Sequence, residues 1–429
     1  MLSLIIVKAV LICIRTFTKY SGTALPGLIV ETYFPKTFEK LLRNIKHMVL
    51  VTGTNGKTTT SRMLCHLLKK NNVGFISNPS GSNLLRGIAS TLAENSDIAG
   101  NIKTNLAVFE IEEASLPKLT GIIRPDIIIV TNIFRDQLDA YGEIDKTYQY
   151  LKEGIEKSDN PRLILNADDE RVRSLRNFSK NEVDLISFEK AYLRHIKFEN
   201  RESKNTATNI KACEIRNVEV HKDLGISFDL SYGEGKIKKI ATLSPGFHNA
   251  FNASAAIISF DSLSKLGVVK ANKPDTSLSD FKPPFGRGEI IKVGNTKFQI
   301  LLFKNPAGAN LNLHLLESVQ KREAVFLILN DNTADGKDVS WIWDCDFTLL
   351  KNLNFKNVYI SGTRAFDLAL RLKYEGIEVS QVDGNAHKIL DLILKENFDM
   401  VYVLPTYTAM LSVRGLLSQH TGVKEIWKH

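Results

Sequence analysis

The sequence predicts an α/β protein: a mostly parallel sheet carrying a phosphate-binding loop (P-loop), followed by a second, smaller α/β domain. Three observations lead there. From residue 47 onward, short apolar runs alternate with segments of helical periodicity, the pattern of strands covered on both faces by crossover helices. The first run ends in a glycine-rich turn, Lys-Thr and an amphipathic helix. A second alternation starts near 295, after a stretch at 268–288 that carries several prolines and glycines.

The elements follow in order. Residues 1–46 read as helix, turn, helix, with Gly22 and Pro26-Gly27 as punctuation. The opening MLSLIIVKAVLICI is apolar, but Lys8 interrupts it and it is too short to span a bilayer. A helix packed on the body is expected there, with shallow docking on a membrane surface as the alternative. The run 48–51 reads as a buried strand, and Met63, Leu64, Leu67 and Leu68 share one face of the helix that follows. Residues 106–111, 126–131 and 163–165 read as further strands. The segment 190–240 begins polar and charged and then alternates, which predicts an inserted loop plus an antiparallel hairpin. A loop and an Ala- and Ser-rich helix follow at 245–266, and 268–288 reads as a linker. In the second alternation, strands end at 328–331, 358–362 and 400–405. The expected division is 1–46, an N-terminal helical segment; 47–285, a central domain; and 286–429, a C-terminal domain.

Bulk properties narrow the classes. The 429 residues suffice for two or three domains, and 43% hydrophobic with 24% charged content is ordinary for a globular chain. The net charge of +9 suits an anionic partner: a nucleotide, a nucleic acid or an anionic membrane surface. The charge is diffuse, without a Lys/Arg block interleaved with aromatics, so no nucleic-acid partner is expected. Cys13, Cys65, Cys213 and Cys345 are widely spaced and form no C-x-x-C pair. Neither a zinc ribbon nor a disulfide framework is supported, and a reducing, cytoplasmic setting is expected, at the inner membrane face if the N-terminus docks there.

The chemistry concentrates at strand ends, where open parallel sheets place their ligands. At 52–60 the chain reads TGTNGKTTT. Glycines let backbone N–H groups approach phosphate oxygens, Lys57 supplies a full positive charge, and the Thr58 hydroxyl can ligate Mg²⁺. Val51 stands where the general G-x-x-x-x-G-K-[ST] pattern has its first glycine, so the loop is shorter. The strand at 106–111 ends in Glu110, Glu112 and Glu113, which can hold Mg²⁺ or merely favour a helix start; Glu110, nearest the strand, is the expected metal ligand. Thr131 and Asn132, followed by Arg135, Asp136, Gln137 and Asp139, can position a second phosphate or a carboxylate substrate, or simply form a polar loop. Asn249 and Asn252 share a helical face; an Asn amide can read an adenine edge or cap a helix.

Four stretches, TGTNGKTTT, TNIFRDQLD, FHNAFNASAA and NDNTADGKD, stand in an order that resembles the Mur ligase superfamily, which builds peptidoglycan stem peptides. The stretches FEIEEAS (109–115), LNADDERV (165–172), GRGE (286–289), KNPAGAN (304–310) and LNDNTADGKDVSWIWDCDF (329–347) are similar to its MurT-like branch, the synthetase subunits of lipid II isoglutaminyl synthases. The resemblance implies a Mur-ligase-like central domain and a smaller Rossmann-like C-terminal domain. It implies ATP with Mg²⁺, used to activate the D-glutamate carboxylate of the stem peptide as an acyl phosphate. Ammonia, supplied by a GatD-like glutaminase subunit in a heterodimer, then yields D-isoglutamine. By this likeness Gly53, Thr54, Asn55, Gly56, Lys57, Thr58 and Thr59 bind nucleotide, Thr58 and Glu110 hold Mg²⁺, Asn252 contacts adenine, and Asp331 touches ribose or the acyl group. Asp338 matches a residue lent across the interface to orient the partner's catalytic histidine.

Three departures accompany the likeness. Relatives commonly carry a four-cysteine zinc ribbon, whereas 190–225 hold only Cys213, so no zinc is expected. Gln137 stands where many Mur ligases have a metal-assisting histidine. The chain has no G-x-C-x-G elbow for hydrolysing glutamine. The competing readings are an amino-acid-adding or folylpolyglutamate-type ligase, and a nucleotide-binding scaffold that only regulates a partner.

Overall fold

The computed structural model describes Leu4, Lys8 and residues 24–78, 82–134, 144–189, 210–221, 224–233, 236–270, 274–283 and 286–421. The expectations for Arg135, Asp136, Gln137 and Asp139, for nearly all of 1–23 and for the polar insert at 190–209 lie outside the described residues.

Two sheets organise the chain. The first has nine strands: β1 (His47–Thr52), β2 (Ile76–Ser77), β3 (Leu106–Glu110), β4 (Ile127–Val130), β5 (Arg162–Asn166), β6 (Val183–Phe188), β7 (Ile210–Val220), β8 (Ile226–Tyr232) and β9 (Lys236–Thr242). Their order is β2-β3-β1-β4-β5-β6-β7-β8-β9. Pairings from β2 to β7 are parallel, and β7-β8-β9 are antiparallel. The chain leaves β1 towards β2 and β3 on one flank and later lays β4 on the other. The carboxyl end of β1 therefore lies where the strand order reverses, the favoured ligand position in such sheets.

Both faces of this sheet are covered, which is why β1 and β4 read as unbroken apolar runs. Val49 and Val51 face one core with Ile127 and Ile129, while Met48 and Leu50 face the other with Ile128 and Val130. The helices Lys57–Lys70 and His248–Lys265 close the first face. Met63, Leu64, Leu67 and Leu68 are each 0% exposed. Burial at roughly 1.5–3 kcal/mol per such side chain outweighs the weak helix preference of Thr58, Thr59 and Thr60, at most about 0.7 kcal/mol each.

The second sheet contains β10 (Arg287–Val293), β11 (Thr296–Leu301), β12 (Ala324–Ile328), β13 (Asn357–Ser361), β14 (Gln381–Val382) and β15 (Met400–Pro405), in the order β10-β11-β15-β12-β13-β14. Only β10 and β11 pair antiparallel.

Three sequence expectations change. Pro26-Gly27 does not interrupt the N-terminal region but lies inside the helix Ala24–Tyr33, because Gly27 packs against another helix. Part of the polar insert is not loop but the eleven-residue strand β7, and the expected antiparallel hairpin, β8-β9, pairs with it at the edge of the main sheet. Its buried core residues are Cys213, Ile215 and Val218, with Val220 packed at the margin, so intervening positions are free to be polar. The linker ends earlier than expected, since β10 starts at Arg287.

The described part of the linker is tied down. Lys70 Nζ lies 3.0 Å from Asp275 and 3.1 Å from Asp280, Asn71 exchanges hydrogen bonds with the Asp275 backbone, and Phe281 packs edge-on against His66. The connection thus runs along the helix that begins at the phosphate loop. Among the described residues no helix is long and apolar enough to cross a membrane.

Candidate active site

The turn after β1 is held open from behind. Gly53 and Gly56 have φ of 111° and 91°, a region that costs most side chains dearly. A Cβ on Gly56 would lie 2.6 Å from Asn252 Oδ1. Asn132, at the end of β4, grips the loop residue Asn55 on both sides of its backbone: Oδ1 accepts its N–H at 2.9 Å and Nδ2 donates to its carbonyl at 3.0 Å. Thr131 Oγ1 donates to the same carbonyl at 2.6 Å, and the Thr54 N–H donates to the Asn132 carbonyl at 2.9 Å.

A further layer steadies these residues from β5. Asn166 Nδ2 donates to the Thr131 carbonyl at 3.0 Å, and the Asp169 carboxylate accepts the Ile133 N–H at 2.7 Å. The strand-end stretch 131–134 therefore serves the loop as a brace. Asn252 does likewise. It is 2% exposed, accepts from Thr60 Oγ1 at 3.1 Å and donates to Asn249 Oδ1 at 2.8 Å. Both ends of this amide, the one that the resemblance assigns to adenine, thus make a hydrogen bond beneath the loop.

In front of the loop the charged groups pair. Thr58 Oγ1 lies 2.9 Å from both carboxylate oxygens of Glu110. Lys57 Nζ donates to the carbonyls of Gly53 and Thr54 and lies 3.1 Å from Glu113 Oε1, with both side chains buried. Thr59 is buried in the first helical turn. The hydroxyl of Thr58 and the carboxylate of Glu110 in contact, behind a lysine at a helix start, are an oxygen-donor set that fits Mg²⁺ carried on a nucleotide phosphate. Among the described residues no group of three or more His, Cys, Asp and Glu side chains could hold a metal by itself.

The second lobe reaches this site at two points. Arg287, the first residue of β10, lies close enough to Glu110 and Tyr407 for both to oppose the burial that lowers its pKa. Burial pushes His248 down to about 4, and the Arg287 charge adds to this, so the imidazole is neutral at pH 7. Its Nδ1 is buried without a hydrogen-bond partner. Asn305 caps the helix Pro306–Glu317 by accepting the Gly308 N–H at 2.8 Å, and its amide pairs with that of Asn55 in the phosphate loop at 3.3 Å. Sequence reading gave no role to Arg287, His248 or Asn305. The available signals were an arginine between two glycines at the domain seam, and an Asn-Pro pair of the kind that starts helices.

Asp331 and Asp338 belong to a second cluster, at the carboxyl end of the other sheet. Asp331 accepts from Thr363 Oγ1 at 2.8 Å and lies 3.5 Å from Arg364. Asp338 is exposed and accepts the Ser340 N–H at 2.8 Å, which holds its pKa below the usual aspartate range. It lines a surface recess of about 290 Å³ together with Lys337, Trp343, Arg364 and Leu370. Trp343, Phe366, Leu370 and Tyr374 are 49–73% exposed, and Trp343 packs edge-on against Tyr374 at 5.6 Å.

Comparison with known proteins follows the same two lobes. A family model described as the Mur ligase middle domain matches residues 51–260, and one described as the MurT ligase C-terminal matches 302–410. The chain is 30% identical over 430 residues to the lipid II isoglutaminyl synthase (glutamine-hydrolyzing) subunit MurT of Streptococcus pneumoniae, covering 94% of each chain. To the Staphylococcus aureus (strain N315) protein of that name it is 33% identical over 384 residues, covering 83% of this chain and 84% of the other. Among solved structures, MurF ligase from Thermotoga maritima in complex with ADP aligns with a TM-score of 0.64 at 16% identity, covering 90% of this chain and 82% of that one. Folylpolyglutamate synthase of Mycobacterium tuberculosis complexed with ADP and AMPPCP aligns at 0.62 and 15%, covering 92% and 99%. At such identities the likeness shows the fold alone.

Proposed function

This chain belongs to the MurT family of Mur ligases, and from that premise we propose that it is the synthetase subunit that amidates the stem-peptide D-glutamate of lipid II. The observation that carries the reading is the arrangement at the end of β1: Lys57 and Thr58 open a helix, and Glu110, Glu113 and Arg287 stand around them. Such a site serves phosphoryl transfer, where the work is to position two anions and screen their charge.

The chemistry follows from that. A carboxylate oxygen of the D-glutamate attacks the γ-phosphorus of ATP, the bond to the ADP oxygen breaks, and an acyl phosphate forms. Ammonia then attacks the acyl carbon, loses a proton, and phosphate leaves with the C–O electron pair. Lys57 turns from Gly53 and Glu113 to the phosphate oxygens, and Arg287 offers a second cation from the other lobe. Thr58 and Glu110 would hold Mg²⁺, which when bound supplies positive charge between the anions. Neutral His248 beside Arg287 adds no charge of its own at pH 7.

Ammonia needs another source. Burial pushes the thiols of Cys65 and Cys213 up to about 11 and about 12 and raises that of Cys345 further, so none of these three is a ready nucleophile for hydrolysing glutamine. The names of the relatives describe a subunit, and a glutaminase partner is the reading carried to this chain. The exposed carboxylate of Asp338 beside Trp343 and Leu370 is the surface proposed to meet it.

The test is reconstitution with a GatD-like glutaminase, lipid II and ATP. Lys57→Ala is expected to abolish amidation with either glutamine or ammonium as nitrogen donor. Amidation retained by that variant would sink the assignment of the phosphate loop, and ATP turnover absent from the native pair in every condition would favour a scaffold.

A further inference from the structure

The phosphate loop is guarded by a carboxylate that its simplest description does not need. Thr58 and Glu110 already supply the hydroxyl and carboxylate that suit a nucleotide-borne cation. Glu113, three residues further on, is 6% exposed, and its carboxylate is engaged by the lysine that must bind phosphate. Each cation at the site feels a carboxylate: Lys57 lies 3.1 Å from Glu113, and Arg287 is within electrostatic range of Glu110. With His248 neutral, these four side chains sum to zero charge.

A nucleotide upsets that balance in a specific way. Its phosphates draw Lys57 away, and Glu113 is left as a buried carboxylate that has lost the cation holding it. Removing one partner of a buried ion pair is far costlier than either keeping or replacing both. The phosphates also bring several negative charges towards Glu113, and like charges within a few ångströms repel strongly in a poorly solvated site. A divalent cation arriving with the nucleotide at Thr58 and Glu110 cancels both penalties. A monovalent nucleotide salt brings no such compensation.

Resting on the nucleotide reading above, we propose that Glu113 is a positioning residue that makes nucleotide binding metal-dependent: it engages Lys57 and excludes nucleotide that arrives without a divalent cation. The site thereby admits the metal complex, the form competent for phosphoryl transfer, and is not blocked by metal-free ADP or ATP. Glu110 and Glu113 divide the labour, one holding the ion and the other requiring it.

The experiment is calorimetric titration of the full-length chain with ADP, once with excess MgCl₂ and once with EDTA. The quantity read is the ratio of the two dissociation constants. Glu113→Gln keeps the shape and a hydrogen-bond acceptor for Lys57 but removes the charge. It is expected to tighten binding in EDTA and so shrink the ratio by on the order of tenfold, the scale of one close like-charge contact. Glu113→Asp keeps the charge and is expected to retain a large ratio. An unaltered ratio in Glu113→Gln, or tightening equal in MgCl₂ and EDTA, overturns the proposal while leaving nucleotide binding intact. A native chain that binds no ADP even with MgCl₂ removes the nucleotide reading and this inference with it.

Discussion

Asp168 and Asp169 stand side by side at the end of β5, and both carboxyls are pushed up by burial. For Asp168 the rise reaches about 6, against an ordinary 3.8, although the Phe188 N–H donates to it at 2.8 Å and Arg173 lies near. Asp169 is raised by burial, which the N–H groups of Ile133 and Val172 oppose by donating to its carboxylate. Since the folded state favours neutral Asp168, that residue contributes stability below pH 3.8 that is lost as pH rises through about 6. Asp168→Asn keeps an acceptor for Phe188 and removes the titration. Its thermal midpoint is expected to exceed that of the native chain at pH 8 and to match it near pH 4; an equal difference at both values would refute the account. At this scale the sequence was legible for residue type and less so for partner. Lys57 and Thr58 announced themselves by spacing. That Lys57 meets Glu113 and Asn252 meets Thr60 depends on side chains 56 and 192 positions apart.

Among elements, the crossing of the helices Ala24–Tyr33 and Leu85–Asn95 is set by one missing atom. A Cβ on Gly27 would lie 1.6 Å from the Arg86 carbonyl oxygen and 2.6 Å from Ser90 Oγ. The closest obstacle is backbone, so no rotamer change relieves it. Alanine favours a helix over glycine by about 1 kcal/mol, but overpacking costs about 1–3 kcal/mol, and more where the obstacle is main chain that no rotamer can move. Gly27→Ala is therefore expected to destabilise the chain, seen as a lower urea midpoint with an unchanged slope; a midpoint at or above the native value would show that the two helices separate freely. The same crossing explains why Pro26-Gly27 misleads as punctuation. Proline near a helix start removes an N–H that has no helical acceptor anyway, and the glycine serves packing rather than a turn. Strand β7 is obscured for the opposite reason, since a strand with one face in the core needs only every second residue to be apolar.

The whole molecule joins two sheets so that each carries one part of the proposed reaction. The phosphate loop lies at the carboxyl end of β1, and Arg287 and Asn305 reach it from the second lobe. Asp338, with its exposed aromatic neighbours, lies in a separate recess of that lobe. If Asp338 serves a glutaminase and not the ligase step, Asp338→Asn should cripple glutamine-driven amidation by the reconstituted pair and spare amidation driven by ammonium. Equal loss with both donors would assign Asp338 to folding or to the ligase step.

The amino-acid sequence by itself determined the α/β class and the strand and loop that begin at 47, and it singled out Lys57, Thr58 and Glu110 as the groups proposed for phosphate and metal. These depend on local rules: apolar runs buried on both faces, glycines where φ is positive, a lysine and a hydroxyl at a helix start. Tertiary structure alone decided what those groups face. It set Glu113 against Lys57, placed Asn132 behind the loop and Arg287 across from it, and sealed Asn252 underneath. Burial, pairing and repulsion are properties of distance in space, and residues 287 and 305 reach residues 110 and 55 only after two sheets have formed and closed on one another.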